Sequence, residues 1–198
     1  MFVKSPASTL DYLFDWTQWM PTGDSILTTS WVASTGITVA NLTVPSGLTI
    51  IPSATGGTFA AGAEFWVITA TTANGETTKS NEVTTTFSGS TSSATLNWPL
   101  QPNATHIKVY RVTATNSENL LVTTLAGTAT SYVDTSTSSG SGTPPGSNTA
   151  SITTNTSTTA TVWVTGGTAG QSYTITGTIT TAGGRIDQRT QTINVVNL

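Results

Sequence analysis

The chain has 198 residues, a formal net charge of −3, no cysteine and only 8% charged residues, where an average domain carries about 25%. Without cysteine there is neither a disulfide framework nor a thiolate metal site, and without a basic field there is no backbone-driven binding of nucleic acid. Thr supplies about a quarter of the residues, and its branched side chain suits a pleated surface, while no segment repeats apolar residues with a 3.6-residue period, so the expected fold class is all-β.

The N-terminal stretch MFVKSPASTLDY lacks the apolar core of a signal peptide, and no run reaches membrane-spanning length. This predicts a protein made and kept in a cytosol, or assembled there into something larger, with no membrane partner. Leu10, Tyr12, Phe14, Trp16 and Trp19 then crowd together, with Phe2 just upstream. Tyr12, Phe14 and Trp16 stand at spacing two. They read either as the core-facing side of a strand or as an aromatic strand or arm that docks on another subunit. A terminal strand with one face in each environment satisfies both readings.

Next, PSATGGTFAAG at 52–62 reads as a linker, being Gly, Ala and Thr without period. EFWVITA at 64–70 is apolar on both faces, which predicts either a central strand or one with a face covered by a neighbour. Asn74-Gly75 separates it from ETTKSNEV and predicts a hairpin closed by a type I′ turn with positive φ angles. Glu76 and Glu82 then fall near the turn or edge, where charges keep strands from pairing with strangers. In HIKVYR, Ile107 and Val109 face one way and His106, Lys108 and Tyr110 the other. STSSGSGTPPGSN at 136–148 reads as a second linker. In YTITGTI at 173–179, Tyr173, Ile175 and Ile179 share one face, the mark of a half-buried strand, and AGG at 182–184 turns the chain. RIDQR puts Arg185, Asp187 and Arg189 on one face. Ile193 and Val195 share that register, so either a bulge shifts the phase or the charged face is covered and becomes an interface candidate.

The expected organisation is discontinuous: residues 1–41 plus 149–198 form an outer domain, and 42–148 a second β-domain inserted into it. The chemistry of an enzyme is hard to assemble from this inventory. His106 is the only histidine and reads as a surface or edge residue. Asp11 and Asp15 lie in an aromatic structural segment. No oxygen-rich calcium loop or zinc-spaced histidine pair occurs, so no catalytic residue, cofactor or metal is expected.

Two resemblances sharpen these expectations. SATLNW (93–98), HIKVYRVT (106–113), LLVTTL (120–125) and SYVDTS (131–136) resemble strands B, C, C′ and E of a fibronectin type III domain, with EFWVITATTANGETTKSNEV resembling strands F and G. The order F, G, B, C, C′, E implies a circular permutation cut between E and F, with NLTVPSGLTI as a candidate for strand A. Glu64–Ala70 should then share a sheet with His106–Arg111, and residues near 60 should lie close to residues near 137. LDYLFDWTQWM (10–20), GDSILTTSW (23–31) and TATVWVTGGTAGQSYTITGTITTAGGRIDQRTQTINVV (159–196) resemble immunoglobulin-like virion proteins of tailed bacteriophages, including fibre-tail adaptors. That resemblance implies a non-enzymatic, multicopy structural protein of the virion, associated with tail or neck, with tail, neck or capsid subunits and fibres as partners. Phe2, Tyr12, Phe14, Trp16, Trp19, Arg185, Asp187 and Arg189 are the candidate docking residues. Two alternatives stay open: a capsid decoration protein, and a carbohydrate-binding or adhesive module that meets surface glycans, for which Trp66, Tyr110 or Trp163 would have to be exposed in a shallow groove.

Overall fold

The computed structural model describes residues 2–137 and 140–197. Every regular element in them is a strand. The first four are β1 (Phe2–Lys4), β2 (Leu10–Asp15), β3 (Ile26–Ala33) and β4 (Ile37–Val39). There follow β5 (Thr49–Ser53), β6 (Gly62–Thr72), β7 (Gly75–Glu76), β8 (Val83–Phe87) and β9 (Ser93–Asn97). Then come β10 (His106–Val112), β11 (Leu120–Ala126), β12 (Ser131–Asp134) and β13 (Gly140–Ser141). The last four are β14 (Thr153–Asn155), β15 (Thr159–Gly166), β16 (Ser172–Thr181) and β17 (Ile186–Val195). The chain divides into two compact units, one made of residues 1–40 with 151–198 and the other of residues 41–150.

In the discontinuous unit, one sheet runs β1-β17-β16-β3 and the other places β2 on one side of β15, with β14 and β4 on its other side. Period-two burial explains both sheets. Ala160, Val162 and Val164 on β15 and Ile175 and Ile179 on β16 point into a core shared with Tyr12, Phe14, Trp16, Ile37 and Ile193, while the intervening Thr residues face outward. Gly177 occurs where β16 passes under the Trp31 ring, because a Cβ there would sit 2.5 Å from that ring. Opposite β15, the partners step from Val39↔Val164 to Thr153↔Val162. At the intervening Trp163, its carbonyl accepts from the Ala40 N–H (2.8 Å) and its own N–H donates to Ile152 O (3.3 Å), while Ile152 N–H donates to Ala40 O (2.8 Å). Strands β4 and β14 thus continue one another along a single sheet edge, with two residues against one as in a bulge, although residues 41–151 separate them in sequence.

In the continuous unit, one sheet is β12-β9-β5 and the other β13-β11-β10-β6, with β7 and β8 both beside β6. β6 is central, the first of the two readings of EFWVITA: residues 66–71 are all buried. It pairs antiparallel with β10 from Phe65↔Val112 to Thr71↔His106. β5, within NLTVPSGLTI and its continuation, pairs antiparallel with β9. Thr58 donates to Thr135 O from both its N–H (3.0 Å) and its hydroxyl (3.1 Å), so the chain just before 60 lies beside the chain just before 137.

Three expectations are corrected. The stretch 52–62 is no linker. Pro52 and Ser53 belong to β5, and Phe59 is buried against Phe87 (ring centroids 4.8 Å) and Trp66 (5.8 Å), a single aromatic anchor that periodicity does not register. The stretch 136–148 is no linker either, since Gly140 and Ser141 pair with Leu121 and Leu120 at the edge of the sheet; Ser138 and Ser139 lie outside the described residues. The hairpin forms, but its turn is not Asn74-Gly75. Thr71 pairs with Glu76 and Thr72 with Gly75, which leaves Ala73-Asn74 as the two-residue turn. Neither Asn74 nor Gly75 has a positive φ. Glycine is needed at 75 because a Cβ there would collide with the backbone carbonyl of Thr149.

Candidate interaction surface

The aromatic N-terminal segment resolves into an inside and an outside. Tyr12, Phe14 and Trp16 are buried in the core of the discontinuous unit, and Trp19 packs against that core from its margin. Phe2 on β1 is 42% exposed and meets the Tyr12 ring edge-on at 5.4 Å. The alternate face of β2 turns outward, leaving Leu13 54% exposed; Leu10, at the start of the strand on the face of Tyr12, is exposed at its end, and Val3 on β1 is exposed as well. Beside Phe2 lies a groove of about 480 Å³ lined by Phe2, Thr190, Gln191 and Thr192.

RIDQR is settled by the pairing of β17. Its register with β16 runs without a shift from Ser172↔Asn194 to Thr180↔Ile186, so no bulge changes the phase and the charged face is the covered one. What covers it is the unit itself. Asp187 accepts a 2.8 Å hydrogen bond from Trp16 Nε1, Arg189 lies 5.4 Å over the Trp16 ring and also donates to Asp15 O, and Gln191 donates to Leu13 O at 2.7 Å. These side chains satisfy carbonyls on the free edge of β2 and close the seam between the two sheets. Asp15, at the end of that seam, is held below the usual carboxylate range by hydrogen bonds from Thr17 and by the charge of Arg189. Arg185 does not join them: it sits exposed in the β16–β17 turn, its carbonyl accepting from Thr181 N–H at 2.8 Å. Of the eight candidates, then, Tyr12, Phe14, Trp16, Asp187 and Arg189 come together with Trp19 inside or along one seam, and Phe2 and Arg185 face outward.

Sequence reasoning missed two buried polar clusters in the continuous unit. Glu76 stands beside the turn on the end strand β7, as expected, but its carboxylate turns inward and accepts from Thr69 (2.6 Å), Lys108 (2.6 Å) and Tyr110 (2.7 Å). Burial, then the hydrogen bond to Glu76 and its charge, push the Tyr110 hydroxyl far above its usual value. On the other side of β10, the fully buried Asp134 accepts from Arg111 (2.7 Å) and Trp66 Nε1 (2.9 Å), and Arg111 lies 4.5 Å over the Phe59 ring. Trp66 and Tyr110 are both buried, so neither can stack on a sugar, and Trp163 is half-buried on β15. His106 is exposed at the start of β10. Among the described residues no three His, Asp or Glu side chains gather as a metal site.

Searches of curated proteins and of solved structures found no match. A family model does match, that of the podophage GP4 fiber-tail adaptor protein gp77, over residues 4–88 and 123–194. The match takes in most of the discontinuous unit and also β5 to β8 and β12 to β13 of the continuous one, so the middle of the chain is in large part a family feature; only 89–122 falls outside it within that span. An all-β chain matched on both of its units is a member of the podophage GP4 fiber-tail adaptor family, a phage virion protein of the tail.

Proposed function

We propose that the protein joins a tail fibre to the tail, the discontinuous unit docking on the particle and the continuous unit carrying the fibre contact. The family match over both units is the observation that carries this reading. Docking by the discontinuous unit is supported by the exposed apolar side chains Phe2, Val3, Leu10 and Leu13 and by the groove beside Phe2, since apolar groups left in water favour burial by a partner. The continuous unit is read as a permuted fibronectin-like sandwich inserted into an edge strand of the other. Its two sheets, β5-β9-β12 and β11-β10-β6-β8, set the strands side by side as a fibronectin sandwich sets A-B-E and C′-C-F-G; β5 holds the place of A but precedes β6 in the chain, where a cut between E and F alone would put A after G. The broken edge strand β4/β14 is where an insertion would leave and return.

Complementation tests both halves of the proposal. A chain lacking residues 41–151, with Ala40 joined to Ile152, is expected to enter particles but to leave their tails without fibres. Fibres retained on such particles, or exclusion of the folded short chain from them, would refute the assignment of roles.

A further inference from the structure

Lys79, Asn116 and Glu118 form a cluster that neither the fold nor the adaptor role uses. Lys79 lies in the irregular segment between β7 and β8, and the other two lie in the β10–β11 loop. The Lys79 ammonium donates to Asn116 Oδ1 at 2.9 Å and to Glu118 Oε2 at 3.0 Å. Because a carbonyl bond is about 1.2 Å long, Nζ is at most about 4 Å from the amide carbon of Asn116. The Glu118 side chain is only 2% exposed, against 32% for Lys79, and Glu118 Oε1 is buried with no hydrogen-bond donor among the described residues.

The amide is also held in place. Asn116 has a φ of 55°, unusual for a residue with a side chain. Its N–H donates to Glu82 at 2.8 Å, and Nδ2 reaches Thr115 Oγ1 at 3.3 Å. The cluster opens on a cleft of about 410 Å³ lined in part by Pro144 and Pro145, through which a small product can leave. In a chain without cysteine, a lysine and an amide are the side chains available for a covalent staple.

We propose that Lys79 and Asn116 condense into an intramolecular isopeptide bond, with Glu118 as the general acid and base. Glu118 takes a proton from the Lys79 ammonium, and the freed amine attacks Cγ of Asn116. The protonated carboxyl then gives its proton to Oδ1 as the tetrahedral intermediate forms. A proton from the attacking nitrogen passes through Glu118 to Nδ2, the Cγ–Nδ2 bond breaks, and the Oδ1 proton returns to Glu118 and passes to the departing ammonia, which leaves as ammonium. An ammonium and a primary amide become a secondary amide and an ammonium ion, with no change of oxidation state. Burial pushes the neighbouring Glu82 carboxyl up, but hydrogen bonds from Thr115 and Asn116 and the charge of Lys79 outweigh it and hold Glu82 low. The bond would close a loop between positions 37 apart and tie the β6–β8 hairpin to the β10–β11 loop.

Intact-mass measurement on the purified full chain decides. The expected mass is about 17 Da below that of the sequence, the mass of one ammonia, with digestion yielding a branched peptide that joins Lys79 to Asn116. Lys79→Arg, which keeps the cation beside Glu118, and Glu118→Gln are each expected to restore the sequence mass. Lys79→Arg is also expected to lower the melting temperature by on the order of 10 °C through loss of the cross-link. A folded wild-type chain at its full sequence mass overturns the proposal. So does a 17 Da loss that maps to a succinimide at Asn74-Gly75, or one that persists in Lys79→Arg.

Discussion

At the scale of single residues, stability rests on polar groups that have given up water. Asp134 accepts from both Arg111 and Trp66 with none of its surface exposed. Asp134→Ala leaves the buried Arg111 cation with Glu64 at 3.7 Å and the Ser136 carbonyl at 3.2 Å as its remaining partners and is expected to cost about 3 kcal/mol, measurable by denaturant unfolding. Gly75→Ala is expected to cost about 1–3 kcal/mol, because the backbone carbonyl of Thr149 occupies the space a methyl group needs. A cost near zero would show that the chain near Thr149 yields. Glu82 sets a pH dependence. Its folded value lies below its ordinary one, so its contribution is present at neutral pH and is lost as pH falls through that folded value. Thermal unfolding followed below the usual glutamate range should show this acid loss, and Glu82→Gln should flatten it. Little of this layer was legible in the sequence. The Asn-Gly pair announces a turn, and the reason for its glycine is a chain segment brought back from Thr149. Likewise, RIDQR left two explanations open, and the residue that chooses between them, Trp16, is 171 positions away from Asp187.

At the scale of elements the sequence is far more informative. Alternation in YTITGTI and saturation with apolar residues in EFWVITA report how many faces a strand buries, which is a local property, and β16 and β6 match it residue by residue. Where an element is held by one side chain instead of a period, the signal vanishes. Phe59 is the one aromatic anchor of a Gly- and Ala-rich stretch otherwise held by backbone hydrogen bonds at Gly57 and Thr58, and β13 attaches by two residues. The edge strand made of β4 and β14 is invisible for a different reason: its halves are three residues each and lie on either side of another unit. Its geometry carries a prediction. With residues 41–151 removed and Ala40 joined to Ile152, the remaining chain should fold, because the two ends already share a hydrogen bond and Trp163 pairs with both. Circular dichroism and a cooperative melt would check this. A molten or insoluble product would mean that the discontinuous unit depends on the continuous one.

At the scale of the whole molecule, the chain belongs to a phage fibre-tail adaptor family, and the proposed function is attachment. The aromatic segment near the N-terminus divides its labour between the core, through Tyr12, Phe14 and Trp16, and outward apolar side chains that include Phe2 and Leu13. Phe2→Asp combined with Leu13→Asp should leave the melting temperature within a few degrees, since both side chains are largely exposed, while reducing incorporation into particles at least tenfold, a loss of about 1.4 kcal/mol or more in docking. Imaging the intact virion at a resolution that traces this chain would decide whether it bridges tail and fibre. The chain is expected between tail and fibre, with Phe2 and Leu13 covered by a tail subunit and the fibre in contact with residues 41–150. A chain found on the capsid shell, or at the tail with Phe2 and Leu13 facing solvent and no fibre against it, would contradict that expectation.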